Sequence, residues 1–382
     1  MKCPGADFIK NPRPLLAGTS KWRQIGRELR PALPGLHLVI AVAVMSRYLH
    51  DIIPNAAMAR AVSEVFIAVF LGLYIRNAIR FSTRFDAGIK FALQRILRLG
   101  IILLGLRLSL QDVVRTGLTA LILIVACLAV ALTPAAFAGR LLKIPPRLAA
   151  LIGVGTAICG NTAIVAVAPV IEAKEEDVSF AVATITFFGT LAVVLYPIIG
   201  YFFGLNDRTF GLWVGTAVND TSQVVAAGAA FSETARDIAT VVKLTRNTLM
   251  APLIVLIGLV YARSQNRKRI GATAAFNFSK VVPWFVIGFL IMTLIRTAGV
   301  ALGFLPQDVA HPGALTGAAS ALKFVDELAR FAVLMALSAI GLGTDTEAVR
   351  RTGIKPFALG LSLASLLAIF SLGAILITGL GS

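Results

Sequence analysis

Charge is scarce in this sequence. Only 14% of its 382 residues are Asp, Glu, Lys or Arg, against about 25% in soluble domains. Acidic residues are the scarcest, 19 against 36 Lys and Arg, which leaves a formal charge of +17. Three cysteines, Cys3, Cys127 and Cys159, give neither a disulfide framework nor a metal-ligand spacing, and three scattered histidines form no zinc motif. HExxH, GxSxG and Walker patterns are all missing. No catalytic residue, metal or cofactor is therefore expected, and the chain does not read as an enzyme. Nor does the basic balance read as nucleic-acid binding, because most Lys and Arg sit in short connectors between apolar blocks.

What the sequence has in plenty is apolar surface, 57% of residues with a mean hydropathy of +0.84. It comes in blocks near the roughly 20 residues that span a bilayer. These blocks fall at 34–50, 60–79, 91–108, 117–139, 148–171, 180–204, 209–231, 238–262, 281–302, 314–343 and 355–378. The pattern predicts an all-α polytopic membrane protein with about nine to eleven transmembrane helices. Basic connectors at Arg76/Arg80/Arg84/Lys90, Arg140/Lys143/Arg147, Arg263/Arg267/Lys268/Arg269 and Arg350/Arg351/Lys355 all fall on one side if every block spans once. The positive-inside rule then puts the N-terminus in the cytoplasm of a bacterial inner (plasma) membrane. Residues 1–33 read as a basic cytoplasmic arm, partly disordered or interfacial, too long in its charged region for a signal peptide. Residues 34–382 read as one transmembrane unit.

The chain repeats itself. GLRLSLQDVVRTG (105–117) is matched by GLGTDTEAVRRTG (341–353), and LYIRNA (73–78) by TLIRTA (293–298). Eleven simple spans place the two RTG loops on opposite sides, so these copies are inverted, a common construction in secondary transporters. A sharper pair is VGTAICGNTAIVA (154–166) and VGTAVNDTSQVVA (214–226). Each is an apolar block interrupted by small and polar residues, which weaken a helix. Both are expected to be discontinuous. They either span, giving eleven helices, or re-enter from opposite faces, giving nine spans and two re-entrant segments.

The polar residues of these interruptions form the candidate site. One wall is Gly160, Asn161 and Thr162, with Gly155 and Thr156 behind them. The other is Asn219, Asp220, Thr221 and Gln223, faced by Lys243, Arg246 and Asn247 from the next block. The small residues could equally serve helix packing, and the two cations could snorkel to an interface. A functional reading pairs Asp220 with Lys243 or Arg246 beside a polar cavity. The carboxylate would take a proton or cation, and the guanidinium an oxyanion. Asp326 and Arg330, four apart, suit either a helical ion pair or an amphipathic lead at the interface.

The motifs ICGNTAIVAVAPVI (158–171), FGTLAVVLYP (188–197), GTAVNDTSQVVAAG (215–228) and VVKLTRNTLMAP (241–252), with the GLGTDTEAVRRTG region, resemble the sulfate exporter (YeiH-like) family of bacterial membrane transporters. The resemblance covers residues 60–380. It implies kinship with the cation/proton antiporter and anion transporter group. Relatives there combine a core carrying two crossed discontinuous helices with a scaffold, often as homodimers. It also implies a small anion as substrate, H+ or Na+ as coupling ion, and the lipid bilayer as surroundings. Some relatives are expected to have a His–acidic pair where this chain has Asn219-Asp220, which would shift coupling onto Asp220. A cation/proton antiporter and a non-transporting membrane receptor are the alternatives.

Overall fold

The computed structural model describes residues 21–53, 64–78, 82–264, 284–305, 317–344 and 354–381. Every described element is helical. Helix α1 (Lys21–Asp51) runs straight through the expected boundary between arm and membrane, carrying Pro31 and Pro34 inside it. Residues 1–20 of the arm lie outside the described residues, as do most of the connectors around Arg267 and Arg350. Next come α2 (Glu64–Ala78), α3 (Asp86–Phe91), a π turn (Ala92–Ile96) and α4 (Leu97–Leu104). Helix α5 (Leu110–Leu141) begins at Ser109, whose hydroxyl accepts from the Asp112 amide and caps the helix.

Both expected interruptions are present. The first apolar stretch is α6 (Pro146–Ala157) and α7 (Asn161–Val167); the second is α9 (Asp207–Ala217) and α10 (Thr221–Phe231). Helix α8 (Glu175–Phe202) lies between them. Then follow α11 (Glu233–Thr248), α12 (Met250–Ser264), α13 (Trp284–Ala301), α14 (Gly317–Gly343) and α15 (Ile354–Thr378). Each of the eleven apolar blocks thus coincides with a helix, a broken helix or a bent pair.

Among the described residues, five helices are long and apolar enough to cross a membrane unaided: α1 from Pro31, α5, α8, α13 and α15. The pair α11–α12, bent by 43°, makes a sixth. Helix α14 is long enough, but Lys323, Asp326, Glu327 and Arg330 charge its first half. Ile122, Phe137, Phe202, Ile369 and Ile377 are largely exposed on the helices' outer faces, as a lipid-facing surface requires.

The helices sort into two bundles. The first joins α1 to α4 with α13 and α14, around Val39, Val42, Ala68, Ile89, Leu334 and Ala339. The second joins α5 to α12 with α15, around Ile124, Ile152, Ile164, Ile185, Phe210 and Val214. An apolar seam of Ile101, Phe289 and Leu337 from the first, with Val225 and Val241 from the second, holds them together. Both broken helices belong to the second bundle and face this seam.

Candidate functional site

A helix ending inside a protein leaves its last carbonyls without intrahelical partners, and in a bilayer no water replaces them. In the first broken stretch the chain leaves α6 through Ile158, at φ −120° and ψ −93°, and enters α7 at Gly160, at φ +62° and ψ −123°. That second conformation belongs to glycine. In the other stretch the chain leaves α9 through extended backbone at Val218 and enters α10 at Asp220. Asp220 Oδ1 accepts from the amide of Ser222 at 2.8 Å and from its hydroxyl at 2.6 Å. Gln223 Oε1 accepts from the Asp220 amide at 3.3 Å, closing a capping box.

Lys243 and Arg246 of α11 are fully buried between these interruptions. Arg246 Nε donates to Ala157 O at 2.6 Å and Nη2 to Thr156 O, while Nη1 donates to Thr216 O at 2.7 Å and Val218 O at 3.1 Å. Lys243 Nζ donates to Ile158 O at 2.5 Å, Val218 O at 3.0 Å and Asn219 O. Two side chains therefore serve the carbonyl ends of both α6 and α9, where the helix dipole is negative. This corrects the expected pairing. Neither cation forms an ion pair with Asp220, and the hydrogen bonds of both run to backbone carbonyls. Snorkelling is likewise excluded at 0% exposure.

Beside the interruptions a cavity of about 540 Å³ opens at the seam between the bundles. From the second bundle it is lined by Asn161, Thr162, Asp220, Thr221, Gln223 and Asn247, so six of the ten expected site residues face one space. Gly160 does not line it, although a Cβ there would lie 3.5 Å from Asp220 Cβ. Lys243, Arg246 and Asn219 lie behind it. Asn161 Nδ2 donates to Thr186 Oγ1 at 3.1 Å, and Gln223 Nε2 donates to Thr186 O at 3.1 Å. Gln223 fits there because residue 189 is glycine; a Cβ would collide with the Gln223 side chain. Asn247 Nδ2 donates to Thr221 Oγ1 at 3.2 Å. The buried Oδ1 atoms of Asn219 and Asn247 have no hydrogen-bond partner among the described residues.

The family described as conserved hypothetical protein 698 matches residues 34–360. The chain belongs to this family. Relatives described as UPF0324 membrane proteins include one from Clostridium tetani, 33% identical over 346 residues, 88% of this chain and 94% of that protein. One from Fusobacterium nucleatum is 32% identical over 318 residues, 82% and 90% of the two chains. One from Streptococcus agalactiae is 33% identical over 333 residues, 86% and 92%. No solved structure matches the chain. These relatives and the helices above make the protein a multi-pass membrane protein of a bacterial family.

In this member of the UPF0324 family the structure adds residues that the sequence reading passed over. Gln94 and Arg98, with Trp284 and Phe285, form the cavity wall contributed by the first bundle, and Thr186, Thr190, Ser222 and Thr344 join the polar side. Arg98 was detectable, being a charge inside the 91–108 block. A second missed group is an ion-pair network across the seam. Arg107 Nη2 meets Glu233 at 2.9 Å, its Nε meets Asp237 at 3.3 Å and its Nη1 meets Asp326 at 3.1 Å. Arg330 pairs with Asp326 at 2.8 Å, four residues along α14, and with Glu233. Of the two readings for Asp326 and Arg330, the helical ion pair is therefore realised.

Proposed function

We propose that the protein is a secondary active transporter that moves a small anion, sulfate-like or another small oxyanion or organic anion, across the inner membrane by alternating access. The observation that carries this reading is the cavity bounded by two interrupted helices. Irregular backbone at membrane depth persists where it lines a cavity or is buried in protein, and broken helices around a central site are a recurring transporter construction. The charge balance favours an anion. Arg98 stands in the cavity wall and Arg246, whose guanidinium stays protonated, is buried behind it. The resemblance to sulfate exporters points the same way.

Asp220 is the coupling group for H+ or Na+. It lines the cavity, and its Oδ1 accepts from the amide and hydroxyl of Ser222. The second bundle is the moving core and the first the scaffold, with the network around Arg107 tying them in the present conformation. The basic connectors put the N-terminus in the cytoplasm. Proteoliposome flux tests the reading. Uptake of labelled sulfate or a small organic anion, driven by a proton or sodium gradient, is expected; sodium–proton exchange without any anion overturns it. That second outcome is the cation/proton antiporter, favoured by the unpartnered Oδ1 of Asn247, which lines the same cavity as Asp220.

A further inference from the structure

We infer that Arg98 holds the substrate's anionic group, and that the substrate is a small organic anion, a sulfonate or carboxylate on a short aliphatic body, in preference to free sulfate. The inference rests on the transport reading and names its substrate class. Arg98 lines the cavity half-buried, with its guanidinium carbon 5.6 Å from the centroid of the Phe285 ring. Among the described residues it makes no hydrogen bond or ion pair, whereas Lys243 and Arg246 spend their donors on backbone carbonyls. Arg98 is thus the cation at this cavity with its donor fork still available. That fork matches two oxygens of a carboxylate or sulfonate, and a charge at this depth is costly until something pairs with it.

Size and lining decide between organic anion and bare sulfate. The cavity of about 540 Å³ lies within the roughly 300–1,000 Å³ of sites that enclose drug-sized ligands. Sulfate is only a few waters in bulk, at about 30 Å³ per water. Apart from Gln94, the first bundle's wall beside Arg98 is apolar, with Leu93, Leu97, Ile101, Trp284, Phe285 and Ile340. A strongly hydrated dianion gains nothing from such a wall, while a short alkyl tail does. Burying one methylene strengthens binding about fourfold. Asn161, Thr186 and Ser222 on the opposite side leave room for a polar substituent.

Isothermal titration of the detergent-purified full chain tests this with sulfate, methanesulfonate, ethanesulfonate and propanesulfonate. The expected Kd falls up to about fourfold per methylene. Propanesulfonate should bind at least tenfold more tightly than sulfate. In Arg98→Gln its Kd should rise at least tenfold with the ligand-free melting temperature unchanged, and Arg98→Lys should fall between. Should Arg98→Gln fail to fold, Trp284→Ala takes its place and should flatten the chain-length series. Sulfate binding as tightly as propanesulfonate, or an undiminished propanesulfonate affinity in folded Arg98→Gln, overturns the inference. So does an unflattened series in Trp284→Ala. Counterflow with the same anions separates the two readings. Propanesulfonate that binds without moving sinks transport and leaves the Arg98 site standing. Sulfate flux without preference sinks the substrate class and leaves transport standing.

Discussion

At Ile158–Gly160 the chain re-enters a helix through a glycine at φ +62°, while at Val218–Asp220 it leaves through extended backbone and re-enters under a side-chain cap. The carbonyl ends of the two interruptions are treated alike, because Lys243 and Arg246 each donate to both. Their re-entry points are treated differently. The first relies on backbone freedom and carries the Cys159 thiol but no carboxylate; the second relies on a carboxylate. Closure of the exposed backbone is thus shared, while an acidic side chain belongs to one side only. The same duplicated motif has become a passive wall at Gly160-Asn161-Thr162 and a titratable one at Asp220.

The shared half of this comparison breaks most easily at Arg246. Arg246→Ala strips the side-chain donor from Thr156 O, Ala157 O and Thr216 O in one step. Each buried carbonyl left unsatisfied costs about 1–3 kcal/mol, and three lose their side-chain donor at once. A large fall in melting temperature in detergent, with loss of the monodisperse peak in size exclusion, is expected. Near-wild-type melting would show that the interruptions close without it. Lys243→Met should cost less, about 1–3 kcal/mol for the carbonyls it leaves unsatisfied, because Val218 O keeps its bond from Arg246. A larger loss for Lys243→Met than for Arg246→Ala would reverse this ranking.

Next in size is the difference between the re-entry points. Gly160→Ala should cost about 1–3 kcal/mol through backbone strain alone, since the nearest atoms to an added Cβ lie 3.4–3.6 Å away, in ordinary contact. Asn219→Ala, at the corresponding turn, removes a side chain whose Oδ1 has no partner and needs no unusual backbone. Its melting shift should be the smaller of the two. Equal shifts would mean that the interruptions are built alike after all.

Both interruptions were legible in the sequence because Gly160 and the run Asn219–Gln223 are poor helix residues set inside apolar blocks. The burial of Lys243 and Arg246 was legible too, since a charge that deep must find partners. What they bond to was not. Every residue carries a carbonyl, so a sequence marks side-chain acceptors such as Asp220 and says nothing of backbone ones exposed by a broken helix. Thr186 and Thr190 were missed because threonine on an apolar helix is an ordinary packing residue, and only the bonds from Asn161 and Gln223 mark Thr186 out. Arg98 was as legible as Lys243 and Arg246. A charge inside 91–108 carries the same cost as one inside 238–262, and Arg98 answered it by facing the cavity.

The smallest expected change in stability is the most informative in function. Asn caps a helix about as well as Asp, so Asp220→Asn should keep the bond from the Ser222 amide and melt within about 0.5 kcal/mol of wild type. The first interruption, which holds no carboxylate, should be untouched. What the substitution removes is the one acidic side chain that lines the cavity among the described residues. In proteoliposomes it should abolish uptake driven by a proton gradient while leaving exchange of anion for anion, which needs no net proton movement. Gradient-driven uptake surviving in Asp220→Asn would move coupling away from the second interruption, and the asymmetry between the two would then be one of folding rather than of transport.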